Sequence, residues 1–184
     1  MARKLNLGCG EFKKPGFINI DIVGKRHPDI IGDLAERLPF LDGVFDCVEA
    51  DHLLEHLPDP FAVMEEIQRV MRPGGILRVR VPHFSRGFTH AQHKSGFDVT
   101  FPLYFNPSFK GGYTGVEFDL QKMRLTWFAQ LELKRTVLNQ PIYLLMRSMG
   151  FFIDLLANLS PAACSRIWCF WVGGFDEIFF EFRK

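Results

Sequence analysis

A chain of 184 residues is long enough for one domain with a substantial core, and its 22 basic and 21 acidic side chains leave no overall field. That balance argues against a dedicated nucleic-acid binder, and no nucleic-acid partner is expected. Cys9, Cys47, Cys164 and Cys169 show no C-x-x-C spacing, which argues against a zinc ribbon or a disulfide framework and for small buried thiols in a reducing cytosol. The segment MARK runs straight into apolar sequence without an h-region, so no secretory signal and a cytoplasmic location are expected.

In chain order, Lys4 to Leu7 reads as a short strand with Leu5 and Leu7 on one side. Gly8-Cys9-Gly10 is a tight turn of small residues that lets backbone approach a ligand. Phe17 to Ile20 is a second strand ending in Asp21, whose carboxylate is placed to accept from two ribose hydroxyls. Asp29 to Leu34 is a brief third strand ending at Gly32-Asp33, and Asp42-Gly43 is a turn. Val44 to Ala50 is a nearly all-apolar fourth strand, as a strand buried on both faces would be. Asp59 is an N-cap with Pro60 at the first helical position; Phe61, Met64, Ile67, Val70 and Met71 then recur at helical spacing. Pro73-Gly74-Gly75 is expected to end that helix, and Ile76 to Val81 alternates as a fifth strand. Leu125 to Leu138 is expected as a sixth strand and Asp176 to Phe182 as a last, antiparallel one.

The ordered set LNLGCG, NID, GDLAERLPFLDGVFDCVEADHLLEHLPDP and EEIQRVMRPGGILRVRVP resembles the class I S-adenosylmethionine-dependent methyltransferases of the type 11 kind, over about the first 82 residues. The resemblance implies an α/β, Rossmann-like, mostly parallel sheet forming one domain. Its cofactor core would cover 1–82, a helical substrate cap and insert 83–175, and a closing strand 176–184. It implies S-adenosyl-L-methionine as cofactor, held by Asn6, Gly8, Cys9, Gly10, Asp21, Asp33, Leu34, Asp51 and His52. Two departures stand out. Only about ten residues separate Gly10 from Asp21, too few for a helix plus a strand, so the cofactor half is trimmed. Asn6 also stands where many relatives carry an acid.

His52-Leu53-Leu54-Glu55-His56 formally matches the zinc-peptidase pattern H-x-x-E-H, but Pro58 leaves only about one helical turn to present it. Glu55 and His56 are expected instead to fix their loop against the glycine turn. His83, His90 and His93 follow the fifth strand, which in open α/β sheets ends at the ligand crevice. They could include a general base, bind a metal or cap loop backbone. His83, His93 and Asp51 are the expected catalytic residues, and no resident metal is expected.

Pro141 to Val172 is strongly apolar, interrupted by Arg147, Asp154, Asn158, Pro161 and Arg166, with no uncharged run long enough for a membrane span. Helices over about 142–158 and 162–172 fit it. Its Trp168, Phe170 and Trp171 suit core, a peripheral contact with the inner face of the membrane, or a homodimer face. The expected activity is methyl transfer to a small-molecule or lipid-linked, perhaps saccharide, acceptor. The alternative is a catalytically silent relative that binds a partner or membrane through residues 141–172.

Overall fold

A computed structural model describes residues 2–87 and 90–184. The strands are β1 (Lys4–Leu7), β2 (Ile18–Asp21), β3 (Ile30–Ile31), β4 (Phe45–Asp51), β5 (Met71–Pro82), β6 (Asp119–Thr126) and β7 (Glu177–Arg183). They form one sheet in the order β3-β2-β1-β4-β5-β7-β6. The first five run parallel, and β7 is antiparallel to both β5 and β6. This is the expected Rossmann-like architecture, with its closing strand reversed. Among the described residues no helix lies between β1 and β2, so the short link crosses as a loop.

Helix α1 (Pro60–Val70) begins where the sequence signals it. Asp59 Oδ1 accepts from the backbone N–H groups of Phe61 and Ala62 at 2.9 and 3.1 Å. Its stripe of Val63, Met64, Ile67 and Val70 is buried, and the chain passes directly into β5. The strand residues under it alternate. Leu5, Ile20, Val48, Ala50, Leu77, Val79, Phe180 and Phe182 point to this face and are fully buried. Farther along the same face lies an aromatic insert, where Phe101 meets Phe180 and Phe105 and Phe118 meet Phe182, each with ring centroids under 6 Å apart. These rings fill the core over β7 that a crossover helix would otherwise cover.

The other face is charged. In cross-strand register Asn19, Asn6, Glu49, Arg78, Glu181 and Lys122 form a row across β2, β1, β4, β5, β7 and β6. Arg78 reaches Glu49 at 3.1 Å and Glu181 at 2.9 Å, and Arg80 reaches Asp51 at 2.7 Å in the next row. Lys14, from the β1–β2 loop, lies across β4 and donates to Glu49 at 2.5 Å and Asp51 at 2.7 Å.

Two expectations are corrected. The sixth strand is not 125–138: after the short helix α2 (Phe84–Gly87), β6 ends at Thr126, and Leu131–Val137 is helix α3. The break is made by caps. Trp127 N–H donates to Asp154 and Ala129 N–H to Asp176, and Gln130 takes a left-handed φ of 52° before the helix starts. The real strand was obscured because it is an edge, where Asp119, Gln121, Lys122 and Arg124 face solvent. Helix α4 (Gln140–Ala157) is close to expectation, capped by Asn139 on the Ile142 N–H at 3.0 Å. The helix after it is shorter than expected: Pro161–Ala163 continues as a π-helix over Cys164–Trp168 and stops there. Among the described residues no single helix is long and apolar enough to cross a membrane; α4 and Pro161–Trp168 pass only as a pair, bent by 112°.

Because Lys14 is, among the described residues, the one cation touching both Glu49 and Asp51, Lys14→Met should lower stability by about 1–2 kcal/mol. Urea unfolding reads this. An unchanged midpoint would mean that Arg78 and Arg80 satisfy the two carboxylates alone.

Candidate functional site

The first part of the site is the glycine turn after β1. Gly8 and Gly10 have φ of +62° and +51°, a conformation that disfavours a side chain. A Cβ on Gly8 would also stand 2.9 Å from Leu53 Cδ1. Asp21, at the carboxyl end of β2, ties this turn down: Oδ2 accepts from Gly10 N–H and Oδ1 from Val23 N–H, both at 2.8 Å. Each oxygen keeps a second lone pair. Asp33 is exposed at the end of β3 and caps Ala35 N–H at 2.9 Å, whereas Leu34 is buried. These groups gather at the carboxyl ends of three neighbouring parallel strands, where open α/β sheets bind ligands. Cys9 is buried beside them, and burial and then Asp21 push its thiol up. Asn6 points into the charged sheet face instead, donating to Asn19 Oδ1 at 2.9 Å and Phe12 O at 3.3 Å.

The second part is a cleft of about 460 Å³ at the carboxyl ends of β4 and β5. His52, Glu55, His56, His93, Lys134 and Asp176 are among its lining residues. His52 sits just past β4 with φ of +51°, Nε2 3.0 Å from Glu177 and Nδ1 3.4 Å from Glu55. Burial alone would lower its pKa, but the Glu177 and Glu55 carboxylates outweigh that and raise it to about 9. Arg86 closes one side, donating to Asp176 at 2.6 Å and Gly173 O at 2.7 Å; Lys134 also contacts Asp176.

The expected catalytic residues separate. His93 lies in the cleft. Asp51 is spent on Lys14 and Arg80; burial alone would raise its pKa, but these two cations hold its carboxyl below the usual range. His83 is 0% exposed, with Nδ1 2.7 Å from Ser85 Oγ and Nε2 2.9 Å from Ser165 Oγ. It holds the chain after β5 against the π-helix and does not line the cleft. Among the described residues no hydrogen bond ties Glu55 or His56 to the glycine turn; the residue of this segment that lies against it is Leu53, beside Gly8. The Glu55 carbonyl instead accepts from Lys94 and Ser95 N–H. Arg86, Lys134 and Asp176 were not anticipated. Only the general placement of cleft residues after parallel strands could have indicated Arg86, and Lys134 lay in a segment read as strand.

Burial pushes the His83 pKa down to about 4. A group whose folded pKa is depressed in this way binds its proton more readily in the unfolded chain. Its contribution is therefore complete above about pH 6.5 and is lost as the pH falls toward 4. Between pH 7 and pH 5 the wild type should lose about 2 kcal/mol more stability than His83→Gln. Parallel denaturation profiles for the two proteins would exclude this assignment.

The family model described as a methyltransferase domain matches residues 19–79. Demethylmenaquinone methyltransferase of Mycolicibacterium paratuberculosis is 47% identical over 55 residues, 30% of this chain and 24% of that protein. The ubiquinone/menaquinone biosynthesis C-methyltransferase of Hahella chejuensis is 46% identical over 52 residues, 28% of this chain and 20% of that one. The chain thus spans about a quarter or less of the length of these relatives. Among solved structures, a methyltransferase from Archaeoglobus fulgidus matches all of this chain and 86% of its own, at 20% identity and a TM-score of 0.59. An S-adenosylmethionine-dependent methyltransferase from Mesorhizobium loti matches 99% of this chain and 90% of its own, at 13% identity and a TM-score of 0.59. The cofactor that this domain type implies is S-adenosylmethionine. The glycine turn and Asp21 suit it, since the turn offers close backbone and the carboxylate has lone pairs to spare.

Proposed function

For a chain of the S-adenosylmethionine-dependent class I methyltransferase family, we propose methyl transfer to a hydrophobic, membrane-borne small molecule as its activity. The observation that carries this reading is the pairing of a glycine turn and strand-end carboxylate with a separate polar cleft beyond β4. Gly8 and Gly10 would leave room at the turn for the amino-acid end of the cofactor, Asp21 would accept from its ribose, and Asp33 with Leu34 would meet its adenine. Bound there, the cofactor supplies an activated methyl whose transfer breaks a carbon–sulfur bond and forms one to the acceptor. The chain has to position the acceptor in line and accept the proton that leaves it; positioning supplies most of the gain. His93 and its neighbours in the cleft are the groups that would meet the acceptor, while Asp51, neutralised by Lys14 and Arg80, anchors the strand end.

The acceptor class is drawn from α4 and the chain after it. Leu145, Phe151, Phe152, Leu155, Leu156, Ile167, Phe170 and Trp171 are all more than half exposed. So large an apolar surface is costly in water and suits contact with a bilayer. Arg147 is the one basic residue within α4, and its one acid, Asp154, is turned inward to cap Trp127 N–H at 2.7 Å. The surface that remains is apolar with a basic point, the combination an anionic lipid surface attracts. The relatives named as demethylmenaquinone methyltransferases support a lipid-soluble, quinone-like acceptor.

The chain should transfer tritium from methyl-labelled S-adenosylmethionine into the organic phase when given a demethylated prenyl quinol in anionic vesicles. Label that stays in the aqueous phase at every acceptor tried, with or without vesicles, would count against the activity. Phe152→Ser with Trp171→Ser should reduce vesicle co-sedimentation at least about tenfold, given the apolar area the two rings would bury. Undiminished co-sedimentation would refute the membrane assignment.

A further inference from the structure

The cleft holds a group that the methyl-transfer reading does not use. Glu55 is 0% exposed, and neither of its carboxylate oxygens has a hydrogen-bond partner. His52 Nδ1 stands 3.4 Å from one oxygen, within ion-pair range but too long for a good hydrogen bond, and His52 also pairs with Glu177 at 3.0 Å. A buried carboxylate without a hydrogen bond is costly, and such groups are ordinarily paired or coordinate a metal.

Two imidazoles meet it. One ligand atom each of Glu55, His56 and His93 lies within 4.8 Å of the others. The approach is built by the backbone: the Glu55 carbonyl accepts from Lys94 N–H at 2.7 Å and from Ser95 N–H at 3.4 Å, which clasps the loop carrying His93 to the turn carrying His56. The two rings stand 4.8 Å apart, and His90 stacks on His93 at 4.7 Å with its ring 5.9 Å from that of His56. Small side-chain rotations would bring the three ligand atoms to the ~2.0–2.2 Å distances that zinc requires.

We propose that Glu55, His56 and His93 form a binding site for a first-row divalent cation of the zinc type. Two imidazoles and one carboxylate favour such an ion over magnesium or calcium, which take oxygen ligands. Three protein ligands leave a fourth position open toward the cleft, the arrangement of a zinc site that acts on a substrate. The site uses Glu55 and His56 of the H-x-x-E-H pattern but not His52, which is held by Glu177; the second imidazole comes from the loop after β5. An acceptor oxygen filling the open position would lose its proton more readily, which would spare the cleft a separate base. That use rests on the proposed methyl transfer; the existence of the site does not.

Chelator-stripped full-length protein should bind one equivalent of Zn2+ by calorimetry, and Co2+ should give the intense visible bands of four-coordinate cobalt. His93→Ala and Glu55→Gln should each weaken Zn2+ binding by more than about 100-fold, at or beyond the loss caused by removing a group that merely supports a ligand. His27→Ala, remote from the cleft, should bind as the wild type does. Circular dichroism melts identify any variant that fails to fold, and His93→Ala, at a partly exposed loop position, is the one expected to melt as the wild type. No stoichiometric binding by the wild type, or binding that survives His93→Ala, would overturn the site. S-adenosylhomocysteine titrated into the same stripped protein judges the methyl-transfer reading separately, because the glycine turn contains none of these ligands.

Discussion

The connection from Gly10 to Ile18 constrains the rest of this molecule. Parallel sheets are normally covered by helices on both faces, and a helical crossover needs more chain than this link contains. The loop takes its place, and its contribution is charge. Lys14 reaches down to Glu49 and Asp51 on β4, which pair with Arg78 and Arg80 on β5, and Arg78 goes on to Glu181 on β7. A face that would be apolar under a helix is instead an ion ladder open in part to water. Half-exposed pairs of this kind are individually weak; their register across the sheet makes them a consistent set. The apolar work falls on the opposite face, where α1 and the phenylalanines of the insert make the core.

This division explains what the sequence revealed. The alternation of β5, the Asp59 cap and the periodicity of α1 are local signals, and the structure follows them closely; β4, expected to be buried on both faces, instead carries Glu49 and Asp51 on the charged face. The trimmed link was legible from chain length alone. The register row was not, because Asn6, Glu49, Arg78 and Glu181 meet only once strand order is known. The region 125–138 failed for a physical reason: its apolar spacing suits a strand, but caps from Asp154 and Asp176, distant in sequence, turn the chain into a helix.

The candidate site was legible in the same uneven way. Gly8, Gly10 and Asp21 were read from a motif whose geometry is local, and Asp21 accepts from Gly10 N–H at that turn. The histidines after β5 were flagged as a group, yet their fates differ: His83 is sealed between two serines while His93 lies in the cleft. No local signal separates them, since what differs is the packing of the π-helix near Ser165. Glu55 was read as a loop fastener. Its carbonyl does fasten a loop, and its carboxylate is left buried with no hydrogen bond, 3.4 Å from the His52 imidazole.

The account depends on a cofactor site at the glycine turn. Calorimetric titration of S-adenosylhomocysteine into the wild type and into Asp21→Asn tests it most directly, because Asn keeps an acceptor for the turn and removes the charge. The account predicts saturable binding by the wild type that weakens about tenfold or more in Asp21→Asn, the loss expected for a charge-assisted hydrogen bond. No binding by the wild type, or equal affinity in the two proteins, would contradict it.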